Sequence, residues 1–492
     1  MMKQPLFVRY LLVCIALCAA FNLLAQTVTI EPFSSNTEHD DFAPCLVYHG
    51  KLIFATCDIK GKGQRIMSIE QSNGKWQDAV KLKGDANDAD HSGVAALTPD
   101  GQLMVFSATN HDVQGMGRTD LYTARKRDGA WVDVVALGPA VNTASYDAQP
   151  SLSADGRTLF FVSDRSGGQG ATDIYTSSWD GTDWSIATPV SGVNSADGEM
   201  SPVISADGRT LYFASNRPRG QGGYDIYVAT VQGGVASNVR RLREPINTAN
   251  DEMFYTAIPN SDRAMLCRTT ARGDYDIFNV TPNPFPGEPV TLVEGIVRDR
   301  ASRAPLGAEI RVTDLKTGKQ VAELRSDDAT GAYYVTLTAG RTYSITAVAE
   351  DHIFHSERYD VPPGAKGRTL TKDVDLSRIQ GGSARLLVFF DLDKSELKSE
   401  SLPELERVVA LMRQAPALRM QLEGHTDDQG TDDYNDGLSQ RRADAVRGFV
   451  VNAGIDATRI SAKGYGKRRP TASGTTEEAH QQNRRVEMKL ID

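Results

Sequence analysis

Long hydrophobic runs and excess positive charge are both missing from most of this 492-residue chain. Beyond the first 25 residues, no stretch approaches the roughly 20 apolar residues that a membrane-spanning helix needs. The formal net charge of −9 argues against a nucleic-acid partner and against an anionic membrane surface. The sequence therefore favours a globular protein that binds neither of these polyanions.

Clustered catalytic or metal-binding residues are also missing. The eight histidines are scattered along the chain, and we find no Ser/His/Asp set and no metal-ligand spacing. The sequence accordingly predicts no catalytic residue, no metal and no cofactor. We expect the protein not to be an enzyme.

Cysteine is scarce, with five residues in the whole chain. Two of them, Cys14 and Cys18, lie in residues 1–25, where a basic start, an apolar run and a small residue before Gln26 are typical of a signal peptide. We therefore expect an exported protein. Lipid attachment in that segment and a bridge between Cys45 and Cys57 both stay open at this point.

Residues 26–285 repeat one pattern at intervals of about 50 residues. The segment Pro150–Phe161 recurs almost unchanged as Pro202–Phe213, and both contain an Asp-Gly turn between two short strand-like runs. Weaker copies bring the number of units to five. Units of this size with four short strands predict a five-bladed all-β propeller, and the motifs resemble TolB-type propeller repeats.

The fifth repeat ends early and lacks a fourth strand. The N-terminal run Thr27–Ile30 has the character of that strand, so we predict that the two ends complete one blade and remove its exposed edge. Arg165 and Asp173 recur one repeat later as Arg217 and Asp225. Because an enzyme site is normally asymmetric, we interpret these repeated charges as structural ties within loops.

Residues 289–376 contain short alternating strands at regular spacing, which predicts a β-sandwich. The pattern resembles the carboxypeptidase regulatory-like domain, and the resemblance implies a non-catalytic module. The following Gly381-Gly382-Ser383 predicts a short flexible hinge.

Residues 383–492 alternate helical and strand patterns, which predicts an α/β two-layer fold. A half-buried strand over about residues 418–423 leads into a turn, and helical spacing begins near Asn435. On that helix Arg442 falls among apolar positions, so its charge needs a partner. Asp427, at the end of the strand, is the natural candidate.

Two interpretations of this arginine and aspartate stay open from the residues alone. They form a structural ion pair, or they flank a cleft and hold a ligand that carries both an ammonium and a carboxylate. In the second case Asp427 takes the ammonium and Arg442 takes the carboxylate in fork geometry.

The motif Thr-Asp-x-x-Gly, then Tyr-Asn, then Leu-Ser-x-x-Arg-Ala, followed by Gly-Tyr-Gly and Asn-Arg-Arg-Val, resembles the OmpA C-terminal family. The resemblance covers about residues 385–492. It implies non-covalent binding of peptidoglycan through the diaminopimelate of its stem peptide. The resemblance assigns binding of diaminopimelate to Asp427 and Arg442, with Thr426, Asn435 and the loop residue Asp393 as further binding residues.

The order of the three regions resembles envelope proteins linked to type IX secretion. The resemblance implies a periplasmic protein at the outer membrane, one that holds the cell wall and presents its propeller to an outer-membrane or secretion-complex partner. The alternative is an exported propeller enzyme that acts on glycan or peptide while tethered to the wall.

Overall fold

The computed structural model of the protein describes residues 27–59, 63–391 and 393–491. The predicted signal peptide, including Cys14 and Cys18, lies outside the described residues. The described chain is mostly β-structure, with one α/β domain at its C-terminal end. None of its helices within these ranges has the length and apolar character to cross a membrane.

Residues 29–281 form five antiparallel sheets. Their strands are β1 (Thr29–Pro32), β2 (Asp40–Val47), β3 (Leu52–Ile59), β4 (Gly63–Ser72), β5 (Lys75–Trp76), β6 (Val80–Lys81), β7 (Ala89–Leu97), β8 (Leu103–His111), β9 (Thr119–Arg127), β10 (Ala130–Ala136), β11 (Asp147–Leu152), β12 (Thr158–Ser163), β13 (Asp173–Ser178), β14 (Thr188–Pro189), β15 (Glu199–Ile204), β16 (Thr210–Ser215), β17 (Asp225–Gln232), β18 (Val235–Arg241), β19 (Glu252–Ala257), β20 (Ala264–Thr269) and β21 (Tyr275–Thr281).

Each sheet uses consecutive strands of one sequence repeat, and the fifth sheet borrows one strand from the N-terminus. Sheets one to four are built from β2–β6, β7–β10, β11–β14 and β15–β18, whereas the fifth has the order β1-β21-β20-β19. Thr29 pairs with Thr281 and Pro32 with Phe278 in that antiparallel ladder. The predicted completion of the fifth repeat by the N-terminal strand is thus confirmed.

An asparagine in the loop before each sheet's first strand ties that loop to the preceding sheet. Its side-chain oxygen accepts from a third-strand N–H, and its side-chain nitrogen donates to the carbonyl of the same third-strand residue. The five pairs are Asn36–Ile277, Asn87–Ile66, Asn142–Leu121, Asn194–Ile174 and Asn247–Ile226. Asn36 makes this tie between the two ends of the region, so sequence repetition produces the same contact five times.

Apolar clusters join each sheet to the next. Phe106 and Val47 belong to one such cluster between the first two sheets, and three further clusters link the second to the third, the third to the fourth and the fourth to the fifth. A fifth cluster contains Phe254 of the last sheet and Ala43 of the first. The sheets therefore contact one another in cyclic order.

Arg165 and Arg217 form ion pairs within the loops, but their partners are not Asp173 and Asp225, the acids that repeat with them in the sequence. Arg165 pairs with Asp147 at 2.5 Å, and Arg217 pairs with Glu199 at 2.9 Å. The carboxylate of Asp173 instead accepts from main-chain N–H groups of its own loop. Because the same contacts recur in neighbouring sheets, they stabilise the loops that join the strands.

Deleting residues 26–34 is expected to lower the melting temperature of the five-sheet region, residues 29–281, by about 5 °C or more. The deletion should also promote self-association. The deletion removes β1 and exposes the edge of β21. Calorimetry and light scattering measure the two effects. Glu31→Ala, an exposed change on the same strand, is the control and should leave both unchanged. A deletion variant that melts like the parent would contradict the closing role.

No disulfide joins Cys45 and Cys57. Their strands β2 and β3 are paired, but Cys45 lies opposite Phe54 and Cys57 opposite Asp41. Cys57 Sγ instead lies 3.7 Å from the Thr37 hydroxyl. The register of the hairpin thus keeps these two thiols apart.

The middle region packs two four-stranded sheets around one core. Val293 and Tyr333 of one sheet meet Ile310 and Ile345 of the other within it. The strands are β22 (Thr291–Asp299), β23 (Glu309–Asp314), β24 (Gln320–Arg325), β25 (Ala332–Leu337), β26 (Arg341–Val348), β27 (His355–Val361), β28 (Arg368–Thr371) and β29 (Val374–Leu376).

The C-terminal domain combines helices with a four-stranded mixed sheet. Its elements are β30 (Ser383–Leu386), α1 (Leu402–Gln414), β31 (Arg419–His425), α2 (Asp432–Asn452), β32 (Ile460–Gly464), α3 (Glu477–Asn483) and β33 (Arg485–Ile491). The strand order is β30-β33-β31-β32, and α1 and α2 pack in one core against this sheet. Pairing between β31 and β32 is parallel, and the other pairings are antiparallel.

The predicted flexible hinge between the middle region and the C-terminal domain is wrong. Ile353 and Phe354 of the middle region are buried in the C-terminal core, and Leu490 N–H donates to the Gly382 carbonyl at 2.8 Å. At the other junction, Lys51 pairs with Glu294 at 2.9 Å. The middle region thus contacts both of its neighbours through packed or ion-paired surfaces.

Candidate functional site

The site forms where β31 ends and α2 begins. Thr431 caps the helix by accepting from Tyr434 N–H, so α2 starts at Asp432, a full turn before the predicted Asn435. A side chain at Gly424 would place its Cβ 2.1 Å from the Ser439 carbonyl oxygen. Only glycine lets strand and helix approach this closely, and the approach carries the buried side of α2 to the end of the strand.

Arg442 is buried, as the helical spacing predicts, and is 6% exposed. Its Nε donates to the Lys394 carbonyl at 3.0 Å and its Nη2 to the Asp391 carbonyl at 3.4 Å, while the guanidinium lies 5.1 Å from the centre of the Phe390 ring. Burial, followed by the positive charge of Arg484, lowers the pKa of Arg442. Three of its five N–H groups donate to no atom among the described residues.

The direct ion pair between Asp427 and Arg442 does not form. Asp427 Oδ2 accepts from Arg484 Nη1 at 2.7 Å, and within residues 27–59, 63–391 and 393–491 Arg442 has no carboxylate partner. Arg484 also pairs with Glu477, so the first arginine of the Asn-Arg-Arg motif holds the aspartate in place. The structure thus disagrees with the simple structural-pair interpretation.

The three other predicted site residues, Asp393, Asn435 and Thr426, have different surroundings. Asp393 accepts from the hydroxyl of Tyr434, which raises the tyrosine pKa, and it lies within electrostatic range of Arg442. Asn435 is buried and donates to the Gln429 carbonyl at 2.8 Å, fixing the turn after β31. The buried Thr426 hydroxyl has no hydrogen-bond partner in the described structure.

The strand before the Asp393 loop, β30, ends at Leu386, so the chain reaches Phe390 and the loop without strand pairing. On α2, Ala443 and Val446 enter the core, whereas Ala445 and Phe449 are only half-buried. Arg442 consequently lies at the edge of the core, beside the loop.

His425 was not among the predicted site residues, although it directly precedes Thr426. It is 1% exposed, its ring stacks on Tyr465, and neither ring nitrogen has a hydrogen-bond partner among the described residues. Burial lowers the pKa of His425 to about 4. The one sequence feature that indicates a role for His425 is its position inside the Gly-His-Thr-Asp motif.

Comparison with known proteins centres on this domain. Residues 389–484 match the OmpA family. Outer membrane porin F of Pseudomonas aeruginosa is 45% identical over 107 residues, which are 22% of this chain and 31% of that protein. The chain thus spans about a third of that relative's length.

A second relative is matched over most of its length. Peptidoglycan-associated lipoprotein of Pseudomonas putida is 37% identical over 131 residues, covering 26% of this chain and 78% of that protein. Among solved structures, TolB from Acinetobacter baumannii matches 50% of this chain and 55% of its own at 18% identity, with a TM-score of 0.32. Through its C-terminal α/β domain, this chain belongs to the OmpA family.

Proposed function

We propose that the protein binds peptidoglycan non-covalently through its C-terminal domain. The observation that carries this proposal is Arg442, a buried guanidinium with free N–H groups and no carboxylate partner among the described residues. A buried charge without a counter-ion is unfavourable, so the position is suited to a carboxylate brought by a ligand. The relative named for its association with peptidoglycan supports the same assignment.

The ligand group is the side chain of diaminopimelate in the stem peptide. Its free end carries an ammonium and a carboxylate on one carbon. Arg442 binds the carboxylate in a two-pronged contact, and Asp427, held by Arg484, binds the ammonium with its remaining acceptor capacity. Asp393 lies near Arg442 on the loop side and binds Tyr434, Asn435 fixes the turn after β31, and the buried Thr426 hydroxyl precedes Asp427 in the chain.

The five-sheet region is a five-bladed propeller in this proposal, and the middle region is a carboxypeptidase regulatory-like sandwich. The propeller is presented in the periplasm to an outer-membrane or secretion-complex protein, with the C-terminal domain fixed on the wall. The middle region acts as a spacer between the propeller and the C-terminal domain, and contacts at its junctions with both support this role. Lys126 lies 3.5 Å from Asp327 at one junction, and Glu404 binds Ser356 at 2.7 Å at the other.

Co-sedimentation with two kinds of peptidoglycan tests the ligand. The full chain is expected to bind walls whose stem peptides contain diaminopimelate. It should bind walls that contain lysine at the same position at least about 10-fold more weakly, because lysine lacks the carboxylate that Arg442 needs. Equal binding to both walls would contradict recognition of diaminopimelate, and binding to neither would contradict the proposed function.

A further inference from the structure

The face of the C-terminal sheet that points away from α1 and α2 carries two carboxylates and an imidazole. Side chains alternate along a strand, so Leu422 enters the core, whereas Glu423 and His425 point to the opposite face. Glu487 of β33 lies directly opposite Glu423 in the ladder. Like charges in opposite positions destabilise a sheet, and this pair therefore favours a cation between the strands.

His425 supplies a second and independent observation. The ring is 1% exposed and both nitrogens lack a hydrogen-bond partner in the described residues. A buried polar group without a partner costs about 1–3 kcal/mol. The Tyr465 ring stacks on it with centroids 5.6 Å apart, which fixes its orientation. A fixed imidazole with an unused lone pair is suited to coordinate a metal.

The geometry points to a metal site: we propose that Glu423, His425 and Glu487 bind a divalent transition-metal ion, best represented by Zn²⁺. One ligand atom from each residue lies within 4.8 Å of the other two. Ligand atoms around a tetrahedral zinc ion lie about 3.4 Å from one another, so side-chain rotations that move these atoms by about 1 Å bring them to coordination distance. Two carboxylates balance the charge of the ion, and an imidazole selects zinc over calcium or magnesium.

Two arginines now contact these carboxylates and compete with the ion. Arg469 donates to Glu423 at 3.1 Å, and Arg485 donates to Glu487 at 2.5 Å. Each has other contacts to retain, since Arg469 stacks 3.7 Å from the centre of the Tyr465 ring and Arg485 also donates to two main-chain carbonyls. The ion therefore replaces the carboxylate contact of each arginine, which keeps its ring or carbonyl contacts but loses its counter-charge, and this competition weakens zinc binding.

The bound ion joins β31 to β33 next to the strand ends that carry Asp427 and Arg484. It lies on the sheet face opposite α1 and α2, whereas Arg442 belongs to α2. Metal binding is thus a property of its own, and it does not depend on recognition of peptidoglycan.

Calorimetric titration of the EDTA-treated, untagged full chain with Zn²⁺ tests the site. We expect one equivalent to bind with a dissociation constant on the order of 1 μM, reflecting competition with the arginines. X-ray absorption of the loaded protein should show nitrogen and oxygen ligands only. Absence of binding at 100-fold higher zinc, or sulfur in the coordination shell, would overturn the proposal.

Two variants localise the ion. His425→Gln and Glu487→Gln should each weaken zinc binding at least about 10-fold, whereas His91→Gln, which removes an exposed histidine of the five-sheet region, should not. Glu487 is partly exposed, so its amide variant keeps the domain folded, and its melting temperature in EDTA verifies this. Unchanged affinity in both site variants would show that zinc binds elsewhere and would overturn the assignment.

Discussion

Replacing Glu404 by alanine is expected to lower the free energy of unfolding of the C-terminal domain by about 3–5 kcal/mol. This carboxylate is 2% exposed and accepts from Arg407 at 3.0 Å, Ser356 at 2.7 Å and the Leu387 N–H at 2.9 Å. Its removal leaves the largely buried guanidinium of Arg407 without its counter-charge, and an uncompensated buried charge is among the most costly defects in a protein. Chemical denaturation of the full chain measures the loss.

The same substitution should also loosen the junction with the middle region, because Ser356 belongs to β27. Hydrogen exchange at β27 is expected to accelerate in the variant. Glu406→Ala provides the matched control, since Glu406 lies two residues away on α1 but is exposed. A Glu404→Ala protein that loses under about 1 kcal/mol, within the range of ordinary surface changes, would show that the buried carboxylate does not hold this junction.

Features that depend on local pattern could be predicted from the sequence. The Asp-Gly turns and the repeated motifs indicate hairpins of equal length, and the structure contains five similar sheets with β1 completing the fifth. Helical spacing correctly places Arg442 on the buried side of α2. In each case the signal comes from residues close together in the chain.

The partners of the buried charges could not be predicted in the same way. Arg442 donates to main-chain carbonyls of the loop before α1. Asp427 binds Arg484, which lies 57 residues away in the chain. Glu404 has the spacing of an ordinary first-turn helix residue, yet the neighbouring region buries it. Such choices are set by how elements pack, and alternation or helical periodicity carries no information about them.

Arg442→Ala is expected to weaken binding to diaminopimelate-containing peptidoglycan roughly 10- to 100-fold, since a hydrogen bond to a charged group contributes about 1.5–3 kcal/mol. Arg442→Lys should recover little of this, because an ammonium cannot make the two-pronged contact with a carboxylate. Asp427→Asn keeps the shape of the side chain but removes the charge that meets the ligand ammonium, and it should weaken binding as well. Co-sedimentation of the full chain with purified walls measures all three variants.

Arg441→Ala is the matched control, because Arg441 precedes Arg442 on the same helix but is exposed to solvent. It should bind walls like the parent protein, so that loss of charge alone is excluded as the cause. Melting temperatures separate a ligand site from a structural role. Asp427 also holds Arg484, so Asp427→Asn lowers the melting temperature slightly. Among the described residues, Arg442 makes hydrogen bonds to two main-chain carbonyls and lies over an aromatic ring, but pairs with no carboxylate. If the Arg442 and Asp427 variants melt earlier but bind walls as the parent does, these residues stabilise the domain and the ligand is held elsewhere.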